Sequence, residues 1–327
     1  MTAGTPGLDV VIVNWNAGTY LADCVHALAA ARRSAFELSS VTIVDNASSD
    51  GSLALVPDVD VPLELVRNDV NRGFAAACNQ GAERGNGDYI LFLNPDTRVS
   101  PSALDESVAF MSDPVNAGIG ICGGQMVGDD GRRGLSCSRF PTLSMLVAMM
   151  TGLSRLLPRR FPPQRLRPDE LAGSGVVDQV IGAFFLIRRP LFEELEGFDE
   201  RFFMYMEEVD LAYRARQRGL LSYYLAEAVV YHKERVSSDR ARGDRLAYLL
   251  RSRSEYARKH WSAWKSALLP ALILVVELPL RVVQALARRN RTDVADVGHA
   301  GRLYLRYVAG RVLSKPVASR QGSSHTS

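Results

Sequence analysis

The sequence predicts an α/β protein built on a doubly wound, mostly parallel sheet. Short β-branched or apolar runs recur at Val10–Val13, Val41–Val44, Leu63–Val66 and Tyr89–Leu93. Helical patterns separate them, as parallel neighbours require, because each crossover must span the sheet. Every run stops at a polar cluster, so the clusters collect at the carboxyl edge, where ligands bind in open α/β sheets.

The stretch Leu8 to Val13 reads directly as the first strand. No basic segment followed by an apolar core precedes it, so export is not expected. Asn14-Trp15-Asn16 ends that strand, and Leu21, Val25 and Leu28 fall at helical spacing in Tyr20–Ala31. Val41–Val44 runs into Asp45-Asn46-Ala47-Ser48-Ser49-Asp50-Gly51-Ser52, a loop dense in hydrogen-bonding side chains. After Leu63–Val66 come Asn68 and then Asn71-Arg72-Gly73-Phe74, which opens an alanine-rich helix. Tyr89–Leu93 is apolar throughout, as in a strand buried on both faces, and stops at Asn94-Pro95-Asp96.

These ends describe a nucleotide pocket. The first turn, Asn-Trp-Asn-Ala-Gly, lacks the Gly-x-Gly-x-x-Gly of a dinucleotide fold, and no P-loop occurs. A carboxylate at Asp45 can accept from a ribose hydroxyl or a base imide, and Arg72 can pair with phosphate. Asp96 can hold a divalent cation that bridges two phosphates. The plainer alternatives are a turn at Asn94-Pro95-Asp96 and a helix cap at Asp45.

Further along, Ser100–Met111 reads as a helix and Gly118–Gly124 as a strand and turn. From Arg132 to Pro168 there are eight arginines and no acid, with the apolar run Leu143–Leu157 inside. That combination suits an anionic, lipid-bearing surface; the alternative is a surface loop with a core-facing helix. Val176–Arg189 returns to strand character, and Gly182-Ala183 permits close approach of a ligand. Glu207, Glu208 and Asp210 then cluster at a helix start, with Arg214 four residues beyond Asp210. Acids suit a helix N-terminus, but three exceed what capping needs.

Leu220–Tyr231 predicts a last strand ending at His232, trailed by Arg235, Ser237 and Ser238. Tyr248–Trp264 is a basic, aromatic helix. Ala267–Leu280 is apolar, bounded by Pro270 and Pro279 and interrupted by Glu277. A bilayer span needs about 20 apolar residues. Charges at Glu277 and Arg281 favour a helix lying at the interface. The tail from Arg288 is arginine-rich, then Ser/Gly-rich and expected to be disordered.

With 327 residues, 47% hydrophobic and 23% charged, the chain can bury a sizeable core. A net charge of +3 does not suggest a nucleic-acid binder. The four cysteines form no Cys-x-x-Cys pair, which indicates neither a zinc site nor a disulfide framework and fits a reducing compartment.

Four motifs carry a resemblance when taken in order: Val11–Asn16; Val44–Ser52; Asn71–Phe74 with Asn79; and Phe92–Asp96. Together they resemble family 2 inverting glycosyltransferases, and the bacterial rhamnosyltransferase branch in particular. The resemblance implies a GT-A-type nucleotide-sugar domain with a mixed central sheet, over residues 1–240. Its nucleotide half would cover about 8–130 and its acceptor half about 131–240, followed by a helical, membrane-associating extension (241–313) and a disordered tail (314–327). It implies a nucleoside-diphosphate sugar donor, dTDP-rhamnose favoured, bound by Asn14, Asn16, Asp45, Asn46, Arg72, Gly73, Asn94, Asp96 and Gly182. A divalent ion, Mg or Mn, would sit on Asp96 and, as in some relatives, His232.

The family has Glu-Asp at positions 207–208, the second member being the general base. Here that member is Glu208, with Glu207 the neighbouring alternative and Asp210 completing the acid cluster. The implied acceptor is a polyprenyl-diphosphate-linked or other cell-envelope glycan, met at the cytoplasmic face of the membrane by a peripheral enzyme. Two rivals remain: a non-catalytic membrane-surface scaffold that binds lipid or partners, and a nucleotidyltransferase, which would want a lysine-bearing Gly-rich first loop that is absent.

Overall fold

A computed structural model describes residues 4–233 and 242–313, so Arg235, Ser237, Ser238 and the Ser/Gly-rich tail lie outside the described residues. Four strands, β1 (Gly7–Asn14), β2 (Glu37–Asp45), β3 (Leu63–Arg67) and β4 (Tyr89–Leu93), run parallel in the order β3-β2-β1-β4. Helices α1 (Tyr20–Ala29) and α2 (Phe74–Ala82) are their crossovers. Beyond β4 the sheet becomes mixed. It continues through β10 (Phe184–Arg188), β6 (Ile119–Val127), β11 (Leu221–His232) and β5 (Thr97–Val99), with β8 (Gly175–Val177) on β11. Strand β10 is antiparallel to both β4 and β6, and β5 is antiparallel to β11, which corrects the mostly parallel expectation.

Two expected elements divide. Helix α3 (Ala103–Ser112) starts later than Ser100, because Thr97–Val99 is taken by β5 and Pro101 disfavours helical geometry at the residue before it. The run Val176–Arg189 breaks into β8, β9 (Gln179–Val180) and β10, and β9 leaves the main sheet to pair with β7 (Cys137–Ser138).

The core forms on both faces of the sheet. One side packs Leu21, Val25 and Leu28 of α1 and Leu104 and Val108 of α3. The other packs Ala75 and Cys78 of α2 with Phe92, Phe185, Phe192 and Phe198, whose rings meet edge-on or tilted at 4.8 to 6.5 Å. A third cluster joins the basic insertion to the C-terminal helices. In it, Leu146 and Met150 of α4 (Leu143–Met150), which a short helix α5 (Leu153–Leu156) follows, pack on Leu250 and Ala257, on Leu269 and Ile273, and on Tyr304. The apolar face of α4 is therefore covered by protein, and Leu156 and Leu157 stay exposed.

The remaining helices are α6 (Arg189–Glu194), α7 (Glu207–Gln217), α8 (Arg242–His260), α9 (Ala263–Leu272), α10 (Leu278–Ala287) and α11 (Arg291–Leu313). A π-helical turn, Ile273–Glu277, makes α9 and α10 continuous. Pro279 cannot donate to the carbonyl four residues earlier and its ring crowds that carbonyl, and the wider turn absorbs the mismatch. Among the described residues, Ala263–Ala287 is the one helix long and apolar enough to cross a membrane, judged by length and composition. Glu277 does not face outward from it. It is 3% exposed and turned onto Arg253 (3.2 Å) and Arg281 (2.7 Å).

Candidate active site

Strand register builds the first half of the site. Asn14 and Asp45 are direct partners at the level ends of β1 and β2. Asn14 is fully buried, and its amide nitrogen reaches Asp45 Oδ1 (2.8 Å), Ser48 Oγ (3.0 Å) and Ser52 Oγ (2.8 Å). Asn46, also buried, donates to Asn71 Oδ1 (2.9 Å) and the Gly73 carbonyl (3.1 Å) and accepts from the Arg72 backbone N–H (2.9 Å). Both asparagines were expected to touch the donor. The structure spends their side chains inside the loops instead, where Asn14 orients Asp45 and Asn46 ties the 71–73 turn to β2.

Asn16, at φ +53°, accepts from the Ser49 N–H (2.8 Å) and shapes the loop rim. Arg72 projects into solvent, where its guanidinium can meet an anion. Gly73 has φ +88° because the chain at Phe203 presses on it: a Cβ there would stand 2.6 Å from the Phe203 carbonyl oxygen, which accepts from the Phe74 N–H (2.7 Å).

Antiparallel pairing supplies the second half. Strand β10 runs against β4 with Phe184 opposite Leu93, and the Asn94 N–H donates to the Ala183 carbonyl (3.0 Å), so Gly182 rises beside the turn that carries Asp96. His232 pairs with Thr97, which sets its Nε2 3.4 Å from Asp96 Oδ1. His232 Nδ1 is buried without a hydrogen-bond partner. A carboxylate and an imidazole this close can share one divalent ion, and substrate phosphates and water can complete its shell. Among the described residues no cluster of three or more candidate ligands exists.

The acid pair sits at a strained turn. Tyr205 (φ +68°) and Met206 (φ +72°) adopt left-handed geometry immediately before α7, unusual for such bulky residues. Packing of Phe202, Met206 and Val209 on Tyr256 of α8, and the Ser252 hydroxyl donating to the Met204 carbonyl (2.9 Å), hold the turn. Glu207 is buried while Glu208 keeps part of its surface open, and each has one carboxylate oxygen without a partner. Burial raises both carboxyl pKa values. The Glu208 charge pushes Glu207 higher still, while backbone N–H groups and the Arg165 charge draw Glu208 back.

Asp210 stands apart from this pair. It is 0% exposed and binds Arg214 (2.7 Å), Lys259 (2.8 Å) and His260 (2.7 Å), which corrects its place among the reacting acids. Burial pushes its carboxyl up, but the His260 hydrogen bond and the charges of Arg214 and Lys259 outweigh that and hold it below the usual range. Asp210 therefore fastens α7 to α8. The Lys259 and His260 partners were missed in the sequence, where they look like ordinary members of a basic helix end. Arg165 was missed as well, being one arginine among eight.

The sequence profile described as Glycosyl transferase family 2 matches residues 9–196, more than half of the chain. N-acetylglucosaminyl-diphospho-decaprenol L-rhamnosyltransferase of Mycobacterium tuberculosis is 28% identical over 317 residues, 90% of this chain and all of that protein. Rhamnosyltransferase WbbL of Escherichia coli is 30% identical over 141 residues, 42% of this chain and 49% of that one. Among solved structures, the mannosyltransferase PcManGT from Pyrobaculum calidifontis, in complex with GDP-Man and Mn2+, shares the fold. It has a TM-score of 0.54 at 16% identity and covers 94% of this chain and 89% of its own. The mixed sheet and its neighbours are of the GT-A type, and the chain belongs to glycosyltransferase family 2.

Proposed function

We propose that the protein transfers a sugar, rhamnose favoured, from a nucleoside diphosphate to a hydroxyl of a polyprenyl-diphosphate-linked sugar, with inversion. One observation carries the reading. Gly182 stands beside Glu208, and its neighbour Ala183 accepts from the Asn94 N–H two residues before Asp96, so one short stretch of chain links the Asp96–His232 pair to the proposed proton acceptor. The rhamnosyltransferase names of the relatives, and a lipid diphosphate acceptor in one of them, support the choice of substrates.

The donor's base and ribose lie against Asp45, and its diphosphate lies between Arg72 and the Asp96–His232 pair. A divalent ion held by that pair would neutralise charge on the departing diphosphate. Glu208 removes the proton from the acceptor hydroxyl as that oxygen bonds to the anomeric carbon. The bond from that carbon to the diphosphate oxygen breaks, and the bonding pair leaves with the nucleotide. Glu207, buried beside it, is the neighbouring alternative for that role.

The Ala263–Ala287 helix, with Trp264, Val275, Val283 and Leu286 exposed, supports peripheral docking on the cytoplasmic leaflet. Incubating the protein with dTDP-rhamnose, Mg or Mn and N-acetylglucosaminyl-diphospho-polyprenol tests the reading. It predicts a rhamnosylated lipid of inverted anomeric configuration. Absence of both transfer and donor binding across a panel of UDP, GDP and dTDP sugars would favour the scaffold.

A further inference from the structure

Positive charge collects between Glu208 and the long apolar helix. Strand β7 pairs Ser138 with Gln179 of β9 on one side and bridges Arg165 on the other. Adjacent strands stand about 4.8 Å apart, so Arg165 lies roughly 10 Å from β9, whose chain leads on to Gly182 and Glu208. The Arg165 side chain is exposed and, among the described residues, has no hydrogen-bond or ion-pair partner. Its charge is felt both at the Glu208 carboxylate and at Arg253 of α8.

Arg253 is 8% exposed, donates to Glu277 (3.2 Å), and leaves its Nε buried with no partner. Glu277 also accepts from Arg281 Nε (3.1 Å) and Nη2 (2.7 Å). Two guanidinium groups therefore share a single carboxylate. Beyond them the apolar face of Ala263–Ala287 begins, with Val275 74% exposed.

We propose that Arg165, with the Arg253–Glu277–Arg281 group behind it, binds the diphosphate of the lipid-linked acceptor, between Glu208 and the helix that meets the lipid. The proposal rests on the glycosyl-transfer reading above and extends it to the acceptor. In such an acceptor a single sugar ring separates the attacking hydroxyl from the diphosphate, and the prenyl chain follows. The protein presents a base, then the unpartnered guanidinium of Arg165, then an apolar helix, in the same order. Planar guanidinium groups suit phosphate oxygens, which they bind in pairs. The donor's own diphosphate is served elsewhere in the cleft, at Arg72 and the Asp96–His232 pair.

The test compares wild type, Arg165→Ala and Arg165→Lys on two acceptors: N-acetylglucosaminyl-diphospho-polyprenol and an alkyl glycoside of the same sugar that lacks phosphate. Arg165→Ala should raise KM for the diphosphate acceptor about ten- to hundredfold, the loss of one charge-assisted pair. Donor KM and glycoside KM should stay at wild-type values, any change in turnover that acts through the Glu208 carboxylate should be the same for both acceptors, and Arg165→Lys should recover part of the loss. An exposed side chain with no partner is dispensable for folding, so lost activity would not come from unfolding. If Arg165→Ala keeps the wild-type preference for the diphosphate acceptor, the clamp is refuted while the transfer reading stands. A rise in donor KM alone would assign Arg165 to the donor's diphosphate and overturn the proposal. Wild-type enzyme that uses the glycoside and never the diphosphate acceptor overturns the acceptor reading and the clamp together.

Discussion

Gly182 stands against Glu208: a Cβ added to Gly182 would lie 3.9 Å from the Glu208 Cβ and 4.0 Å from its Cγ, with no other residue within 4 Å. The empty volume of that one side chain is the space in front of the proposed base. Gly182→Ala should therefore fold and remain active, since 3.9 Å is ordinary contact. Gly182→Leu should place a branched side chain where the acceptor enters, raising acceptor KM at least about tenfold with donor affinity unchanged. Steady-state kinetics with each substrate varied in turn checks this, and equal losses for donor and acceptor would contradict it.

The Asp96–His232 pair predicts a metal dependence. Asp96→Ala should lower turnover by at least about 10²-fold, as expected when charge on a leaving group loses its counterpart. His232→Ala should weaken the apparent affinity for Mn or Mg with a smaller loss of turnover at saturating metal. Metal titrations of donor binding by calorimetry separate the two effects. Wild-type metal dependence in Asp96→Ala would reduce Asp96 to a turn residue.

The ties from Asp210 to α8 predict a stability effect that is separate from chemistry. Asp210→Asn leaves Arg214, Lys259 and His260 around a neutral amide in a dry site, a loss of about 3 kcal/mol or more. In a chain of this size that lowers the melting temperature by several degrees. The sign with pH follows from the depressed carboxyl of Asp210: the stabilisation is fully present above the ordinary aspartate pKa and is lost as pH falls through and below it. Thermal melts of wild type and Asp210→Asn should therefore differ at pH 7 and converge towards acid pH.

The exposed face of Ala263–Ala287 predicts binding to membranes. The protein should sediment with anionic liposomes, less so at high salt, and carbonate washing should release it. Val275→Asp together with Val283→Asp removes two exposed apolar contacts and should weaken sedimentation at least about tenfold. Resistance to carbonate would mean that the helix spans the bilayer, an arrangement its inward-facing Glu277 permits.

Strand order at the nucleotide edge is legible in the sequence because apolar runs and their polar stops are local signals. The reversal at β10 is not, since antiparallel entry after the insertion depends on how β9 and β7 pair over a separation of about forty residues. Side-chain orientation at the strand ends is equally hidden. Asn14 and Asn46 look like ligands for a nucleotide, yet their acceptors Ser48, Ser52 and Asn71 lie in loops whose shapes are set by positive φ at Asn16, Ala47 and Gly73. Arg165 is one of eight arginines in its stretch, and its nearness to Glu208 follows from the long-range bridge to Ser138, which no local pattern shows.

The most direct test of the account is the pair of variants Glu208→Gln and Glu207→Gln, with donor binding and turnover measured separately across pH. Glu208→Gln should bind donor as wild type does and lose about 10²- to 10⁴-fold in turnover, since the amide keeps the shape and cannot accept a proton. In wild type, burial holds the Glu208 pKa above the ordinary glutamate value, so activity should rise with pH through a limb above the usual carboxylate range. Glu207→Gln keeps the shape of the neighbouring side chain and should spare turnover on the plateau. The opposite pattern, an active Glu208→Gln beside an inactive Glu207→Gln that still binds donor, would contradict the assignment of the base.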